Sequence, residues 1–262
     1  MRIAISGSSG LIGRHLWSYL TDLGHSLVRI DRKGNFRGKV DWIIDLAAYG
    51  NYHFQTDKEE IYKVNVLRLI RILEKAKGVK AVILTSSSSV ALPITTFYAA
   101  SKLAVESLGK AYADLGLPVV ITRPATIIGV GEVEHHLIPA LINSCFTSEE
   151  MDFVGSPTHD FLSADDFVKA VVLLAKNAKK LKGKVINVGS GKSYSNNEVR
   201  KMVESSVGNP AKLRIKTQLR KYDSTHWVVK PSKELKALGW KPKDSIMSTI
   251  DRMVDQAFTD RF

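Results

Sequence analysis

The chain has 262 residues, of which 44% are hydrophobic, and it carries a formal net charge of +12. This length is sufficient for one large core, or for a core domain with a small additional lobe. The single cysteine, Cys145, excludes an internal disulfide and a cysteine-based metal site, and it fits a reducing compartment. No apolar stretch approaches the roughly 20 residues of a membrane span, and the one at the N-terminus is too short for a signal peptide. We therefore expect a cytoplasmic protein with no metal site and no membrane partner.

The positive charge suits polyanions in general, including nucleic acid and phosphorylated small molecules. However, the lysines are scattered, as in residues 176–184 and 230–243, and no compact basic stretch is interleaved with aromatic residues. Solvated surfaces explain this pattern better than a nucleic-acid interface, so we expect no nucleic-acid partner. An acidic, phosphate-bearing substrate is compatible with the charge.

Short apolar runs alternate with helix-length segments along most of the chain. The runs predict buried parallel strands at Arg2–Ser6, Ser26–Ile30, Trp42–Leu46, Ala81–Thr85, Val119–Thr122 and Lys184–Val188. Helices are predicted at Leu11–Leu23, Asp57–Ala76, Thr96–Leu115 and Ala164–Ala178. This alternation is typical of the α/β class with a doubly wound, Rossmann-like parallel sheet.

A glycine motif, Gly7-Ser-Ser-Gly10-Leu-Ile-Gly13, lies between the first predicted strand and the first predicted helix. The glycines permit a tight turn, close approach to a pyrophosphate and close packing of helix on strand. The phosphates would bind the free N–H groups at the helix N-terminus. The predicted dinucleotide-binding residues of this motif are Gly7, Ser9, Gly10, Leu11, Ile12 and Gly13.

Asp31 follows the second predicted strand. A carboxylate at this position can accept hydrogen bonds from the adenosine ribose hydroxyls and repel a 2′-phosphate, which favours NAD. Arg32 and Lys33 come next and could instead hold a 2′-phosphate. We therefore predict NAD as the cofactor, with NADP as the alternative.

The alternating pattern changes twice, after residue 128 and after residue 190. We predict that residues 1–128 and 158–190 form a dinucleotide-binding domain, and that residues 129–157 and 191–262 form a small substrate-binding lobe. Trp227 and Trp240 are expected in the core of that lobe.

Tyr98 and Lys102 lie one turn apart in a predicted helix, on the same helix face. An ammonium beside a phenol favours the phenolate, which a free tyrosine does not form at neutral pH. Upstream, a predicted strand runs into four serines, Ser86–Ser89, at the edge where doubly wound sheets bind ligands. Together these residues supply a Ser–Tyr–Lys set.

With this set the chain resembles the extended short-chain dehydrogenase/reductase family, the NAD-dependent epimerase/dehydratase group that acts on nucleotide sugars. The resemblance spans nearly the whole chain. Besides the glycine motif, it is carried by Asp45-Leu-Ala-Ala48, Asn65-Val-Leu-Arg-Leu-Ile, Arg123-Pro-Ala-Thr-Ile-Ile-Gly129, His159-Asp-Phe-Leu-Ser-Ala-Asp-Asp166, Asn187-Val-Gly-Ser-Gly191 and Leu238-Gly-Trp-Lys-Pro242.

The resemblance implies roles for individual residues. Tyr98 would be the acid/base, and Lys102 would lower its pKa and bind the nicotinamide ribose. Ser87 would hydrogen-bond the substrate oxygen, with Ser86 and Ser88 as alternatives. The further cofactor residues implied are Asp45, Leu46, Ala47, Ala48, Asn65 and Arg123, and the further substrate residues are Ser88, Thr126 and His159.

The implied activity is hydride transfer at a sugar carbon, C4, by a 4-epimerase or 4-ketoreductase. Dehydratases of the family carry an Asp-Glu pair just after the catalytic hydroxyl, where this chain has Ser88-Ser89, so dehydration is disfavoured. Two other functions stay open: reduction of a non-sugar carbonyl, and dinucleotide sensing without catalysis.

Two further departures from the family pattern affect the predicted binding sites. The interval 32–40 is too short for a parallel crossover, which needs about a dozen residues. We therefore predict a sheet shortened on the adenine side, with weak cofactor binding. His159 stands where the family often has an arginine that contacts the substrate diphosphate; Lys192, Arg220 and Lys230 are candidate replacements.

The predicted Tyr98 helix is apolar on more than one side, with Leu103, Leu108 and Leu115 among its residues. Helices that are apolar nearly all round are buried. Together with the predicted helix Asp57–Ala76, this helix could form a four-helix contact, so we expect a homodimer.

Overall fold

The computed structural model describes residues 1–52, 54–217 and 224–261. The strands are β1 (Arg2–Ser6), β2 (Ser26–Arg29), β3 (Trp42–Asp45), β4 (Ala81–Thr85), β5 (Val119–Pro124), β6 (Thr126–Ile128), β7 (Met151–Phe153), β8 (Thr158–Ser163), β9 (Val185–Val188), β10 (Ser193–Ser195) and β11 (Leu213–Ile215). The helices are α1 (Leu11–Asp22), α2 (Lys58–Tyr62), α3 (Arg68–Glu74), α4 (Phe97–Asp114), α5 (Leu137–Thr147), α6 (Ala164–Lys176), α7 (Asn196–Val207), α8 (Lys233–Ala237) and α9 (Ile246–Thr259).

The central sheet has six strands in the order β2-β1-β3-β4-β5-β9. Each neighbouring pair in it is parallel. Successive side chains of β1 point to opposite faces: Ile3 and Ile5 pack in one hydrophobic cluster with α1 and α6, and Ala4 packs in another with α3 and α4. Helices therefore cover both faces, and the predicted doubly wound α/β fold is confirmed.

The sheet ends at β2, on the side where a Rossmann-like fold binds adenine. The residues between β2 and β3 contain neither helix nor strand. Within the described ranges, no strand pairs with the outer edge of β2. The predicted shortening of the sheet is confirmed, since the connection is too brief for another crossover.

The segment predicted as one helix, Asp57–Ala76, is interrupted. Its helices α2 and α3 flank a π-helical turn, Lys63–Leu67, which contains the buried Asn65. The predicted helical segment is present, but it contains a π turn, which adds one residue to the hydrogen-bond ladder and which hydrophobic periodicity does not reveal. Such turns are frequent at functional sites.

A third hydrophobic cluster lies beyond the sheet. It contains Leu141 of α5, Phe153 of β7, Val203 of α7 and Ile250 of α9. Both chain segments predicted for the small lobe thus pack together, although the division into two domains stays a prediction. β7 pairs with β11, and β8 pairs with β6 and β10, in two small sheets beside this cluster.

The expectation that Trp227 and Trp240 lie in the core of the small lobe is wrong. Trp240 is buried in the cluster on the α1 and α6 face of the sheet, and Trp227 packs against it. The Trp240 indole N–H donates to the Asp166 carbonyl at 3.3 Å, which joins this part of the chain to α6. A tryptophan near the C-terminus therefore stabilises the central sheet.

Among the residues that the structure describes, no helix is both long and apolar enough to cross a membrane.

The Asp160 carboxylate connects β8 with two distant chain segments. It is 1% exposed and accepts hydrogen bonds from the backbone N–H groups of Ser190 (2.8 Å), Gly191 (2.9 Å) and Val229 (3.0 Å). We expect Asp160→Asn to lower the free energy of unfolding by about 2–4 kcal/mol, because an amide nitrogen would face backbone donors. Urea denaturation measures this loss.

Asp255→Asn, at an exposed position of α9, is the matched control and should change stability by less than about 0.5 kcal/mol. Equal stability of the two variants would contradict the role given to Asp160.

Candidate functional site

The turn between β1 and α1 fits the pyrophosphate of a dinucleotide. Gly7 has φ +64°, and a Cβ there would lie 2.8 Å from the Ala47 nitrogen; a Cβ on Gly13 would lie 2.0 Å from the Gly7 oxygen. Helix α1 follows Gly10 with no side-chain cap and no acidic residue in its first turn. Its first N–H groups, from Leu11 onward, are thus available to an anion.

The end of β3 closes against this turn. The buried Ser6 hydroxyl donates to the Asp45 carboxylate and accepts from the Leu46 and Ala47 N–H groups at 3.1 and 3.0 Å. Ala48 follows, exposed at the edge of the sheet. This polar junction holds the Asp45–Ala48 segment beside the glycine turn.

Arg68 was missed by the sequence analysis. Its guanidinium, 3% exposed, lies 2.9 Å from Asp45 Oδ1 and donates to the carbonyls of Ala47 at 3.1 Å and Val64 at 2.9 Å. The signal that could have revealed it is its position: the run Val64–Ile70 is apolar except for Asn65 and this one basic residue. The buried ion pair fixes the strand end on which a cofactor would rest.

The Asn65 side chain forms hydrogen bonds with other residues of the protein. Its side-chain oxygen accepts from the Tyr49 N–H at 2.9 Å, and its amide nitrogen donates to the Tyr49 carbonyl at 2.8 Å and the Ser101 hydroxyl at 2.9 Å. Ser101 precedes Lys102 in α4. Asn65 thus joins the loop after β3 to the helix that carries the predicted catalytic residues.

Asp31 lies exposed at the end of β2 and organises its own turn. It accepts from the backbone N–H groups of Asn35 at 2.7 Å and Lys33 at 2.8 Å. These bonds hold the pKa of the Asp31 carboxyl below its usual value, and the bond from the Asn35 N–H has the largest effect. The carboxylate is therefore charged at neutral pH and, like the neighbouring Arg32, open to solvent.

Ser87, Tyr98 and Lys102 come together at the carboxyl end of β4. Helix α4 begins at Phe97 behind Thr96, whose hydroxyl accepts from the Ala99 N–H at 3.1 Å. The buried Lys102 Nζ donates to the Thr85 carbonyl at 2.8 Å and lies 5.7 Å from the centroid of the Tyr98 ring. This anchor positions Tyr98 beside the serines that follow β4.

The ionisation of the pair is set mainly by burial. Burial raises the pKa of Tyr98 to about 12, and its interaction with the Ser87 hydroxyl acts in the opposite direction. Burial lowers the pKa of Lys102 to about 8, against the attraction of Asp45. At neutral pH the phenol is therefore protonated and ready to donate, and the lysine is mostly charged.

Ser86 and Ser87 have different hydrogen-bond partners. The Ser86 hydroxyl donates to Glu106 Oε1 at 2.7 Å, and Arg123 also contacts Glu106 through two bonds of 2.7 Å. Glu106, which is 3% exposed, was missed by the sequence analysis, although it is an acidic residue on the predicted helix. Ser86 and Arg123 are thus joined to α4, and Ser87 is left for other partners.

The predicted substrate residues lie on several elements. Ser88 is buried after β4, and Thr126 is half-buried in β6. His159 is half-buried, with its ring 5.3 Å from that of Trp227 and 5.7 Å from that of Phe161.

Of the three candidate replacements for the diphosphate arginine, Lys192 and Lys230 are exposed and Arg220 lies outside the described residues. In the ranges that the structure describes, no group of three His, Cys, Asp or Glu side chains could hold a metal ion.

Residues 3–189 match the model of the NAD dependent epimerase/dehydratase family. The UDP-glucose 4-epimerase of Corynebacterium glutamicum is 23% identical over an alignment of 308 positions, which covers 95% of this chain and 93% of that protein. Among solved structures, MoeE5 in complex with UDP-glucuronic acid and NAD has a TM-score of 0.89 at 24% identity, covering 99% of this chain and 100% of that one. RMD from Pseudomonas aeruginosa complexed with NADPH has a TM-score of 0.86 at 23% identity, covering 100% and 99%.

At these identities the solved structures support the Rossmann-like fold. The family match covers most of the chain and includes the glycine motif, the serines after β4 and the Tyr98–Lys102 pair. The chain therefore belongs to the NAD dependent epimerase/dehydratase family, and it is an enzyme that works with a nicotinamide dinucleotide cofactor.

Proposed function

We propose that this enzyme transfers hydride at a sugar carbon, C4, of a nucleotide sugar, as a 4-epimerase or 4-ketoreductase. The observation that carries the proposal is the convergence of Ser87, Tyr98 and Lys102 at the end of β4, beside a glycine turn that fits a pyrophosphate. The similarity to a UDP-glucose 4-epimerase along nearly the whole chain supports the substrate class.

Each residue of the set has one task in this mechanism. In the reduction direction the Tyr98 phenol, the form present at neutral pH in the free enzyme, donates its proton to the carbonyl oxygen as hydride arrives at the same carbon. In the oxidation direction the Tyr98 phenolate, which a neighbouring positive charge favours, removes the proton of the sugar hydroxyl as hydride leaves. The nicotinamide ring, when bound, supplies the acceptor and donor of that hydride. Lys102 keeps a positive charge near the phenol, and Ser87 holds the reacting oxygen.

Water elimination is disfavoured in this proposal. It needs an acid and a base in addition to the tyrosine, and the two positions after Ser87 carry only the hydroxyls of Ser88 and Ser89. A screen of nucleotide sugars and their 4-keto forms, followed by product analysis, distinguishes epimerisation from reduction and from dehydration.

We expect Tyr98→Phe to lower turnover of the nucleotide sugar found by that screen by about 10²- to 10⁴-fold, the usual contribution of general acid–base catalysis. Binding of the cofactor should persist, because the phenylalanine keeps the packing of α4. Tyr112→Phe, on the same helix but bonded to Glu74, is the matched control. Substantial turnover by Tyr98→Phe would refute the assignment.

We propose that NAD is preferred over NADP and that the adenine is bound weakly, because the sheet ends at β2. Calorimetric titration should give a dissociation constant in the micromolar range or weaker for NAD, and a larger one for NADP. Asp31→Asn should lower this preference, since it removes the charge that repels a 2′-phosphate but keeps an oxygen for the turn. Nanomolar binding of NAD, or a clear preference for NADP, would contradict the proposal.

We also propose a cytoplasmic homodimer. The π-helical turn and α4 lie side by side and expose apolar side chains: Leu67 is 53% exposed, Phe97 51% and Leu103 39%. Such a surface is suited to a second copy of the chain.

Light scattering should therefore give the mass of a dimer for the wild type and of a monomer for the double variant Leu67→Glu/Leu103→Glu, because buried unpaired carboxylates oppose association. Leu115→Glu, at the 79% exposed end of α4, should leave the dimer intact. A monomeric wild-type protein at micromolar concentration would end this proposal.

A further inference from the structure

We propose that Ser89 is a positioning residue for the hydride chemistry, because its hydroxyl orients the Ser87 hydroxyl toward the Tyr98 phenol. The inference rests on the proposed function and gives a role to Ser89, which is not among the site residues predicted from the sequence.

Ser87 Oγ receives two hydrogen bonds from the same residue. The Ser89 backbone N–H donates at 3.1 Å, and the Ser89 hydroxyl donates at 2.8 Å. Ser87 is extended, with φ −155° and ψ 148°, and precedes the 3₁₀ helix Ser88–Ala91. The N–H contact is an ordinary helix cap, but the contact between the two hydroxyls is not required for capping.

The number of hydrogen bonds that a hydroxyl can form determines where the Ser87 proton points. A hydroxyl has two acceptor sites and one proton, and Ser89 fills both acceptor sites of Ser87 Oγ. The Ser87 proton is then the only part of this hydroxyl left to form a hydrogen bond. It must point away from Ser89, to the phenol oxygen or to the oxygen of a substrate.

The surroundings of Tyr98 make the phenol the matching acceptor. The neighbouring Ser86 hydroxyl is bonded to Glu106, whereas Ser87 is half-buried and interacts with Tyr98 in the direction that lowers its pKa. Two other titratable groups face this phenol within the described structure: Lys102 on the same helix, and Tyr52 from the loop after β3, whose charge raises the Tyr98 pKa.

Without a sugar bound, the order Ser89 to Ser87 to Tyr98 forms a chain of donors that ends on the phenol oxygen; the oxygen of a bound sugar would take the Ser87 proton in its place. Hydrogen bonds in such a chain polarise one another in a low-dielectric site. Ser89 therefore makes Ser87 a stronger donor to the phenolate, and it prevents the Ser87 hydroxyl from rotating away.

The test is a spectroscopic titration of Tyr98 in the enzyme saturated with NAD. The ultraviolet absorbance of tyrosinate is followed against pH, and the same titration of Tyr98→Phe is subtracted to isolate this residue. In Ser89→Ala we expect the acid dissociation constant of Tyr98 to fall about three- to tenfold, which is the effect of one ordinary hydrogen bond. Ser89→Thr, which keeps the hydroxyl, should restore the wild-type titration.

Ser205→Ala, at an exposed position of α7, is the control for a serine-to-alanine change and should leave the Tyr98 titration unchanged. A purely structural role of Ser89 would lower stability without moving the Tyr98 titration. An unchanged titration in Ser89→Ala, or a failure of Ser89→Thr to restore it, would overturn the inference. Because the titration needs no sugar substrate, its failure is distinguishable from failure of the proposed function, which the nucleotide-sugar screen decides.

Discussion

The bond from the Lys102 ammonium to the Thr85 carbonyl is the contact on which the site depends. It fixes α4 to the carboxyl end of β4, and it does so inside the protein, where both groups are shielded from water. Tyr98 lies one turn before Lys102, and Ser87 lies two residues after Thr85. This buried hydrogen bond, together with the bond from Ser86 to Glu106 of the same helix, thus sets the approach of the phenol to the serine hydroxyl.

A buried ammonium is costly unless other charges compensate it, and Asp45 supplies part of that compensation. Burial lowers the pKa of Lys102 to about 8, the attraction of Asp45 acts in the opposite direction, and the charge of Arg68, which is paired with Asp45, lowers the Lys102 pKa further. A second ion pair, between the buried Glu106 and the half-buried Arg123, fixes the same helix to β5. These ion pairs hold the side chains at the edge of the sheet in place, around the site that we propose for hydride transfer.

The features predicted well from the sequence were those encoded in neighbouring residues. The strands appeared as short apolar runs, the glycine turn as a fixed spacing, and the missing crossover as a short interval between Asp31 and Asp41. The features that were missed depend on contacts between distant parts of the chain. Arg68 meets Asp45, Glu106 meets Arg123, and Trp240 packs on the central sheet, none of which local periodicity can show. The π turn at Asn65 was hidden because one added residue shifts the helical phase only locally.

The central claim is that hydride moves between a sugar carbon and the cofactor. It is tested most directly by mixing the NAD-loaded enzyme with nucleotide sugars that carry hydrogen or deuterium at C4 and following the formation of reduced nicotinamide during a single turnover by stopped-flow absorbance. The account predicts that reduced nicotinamide forms with the wild type, more slowly from the deuterated sugar, and at least about 10²-fold more slowly with Tyr98→Phe. Conversion of a nucleotide sugar with neither reduced nicotinamide nor a rate difference between hydrogen and deuterium would contradict it.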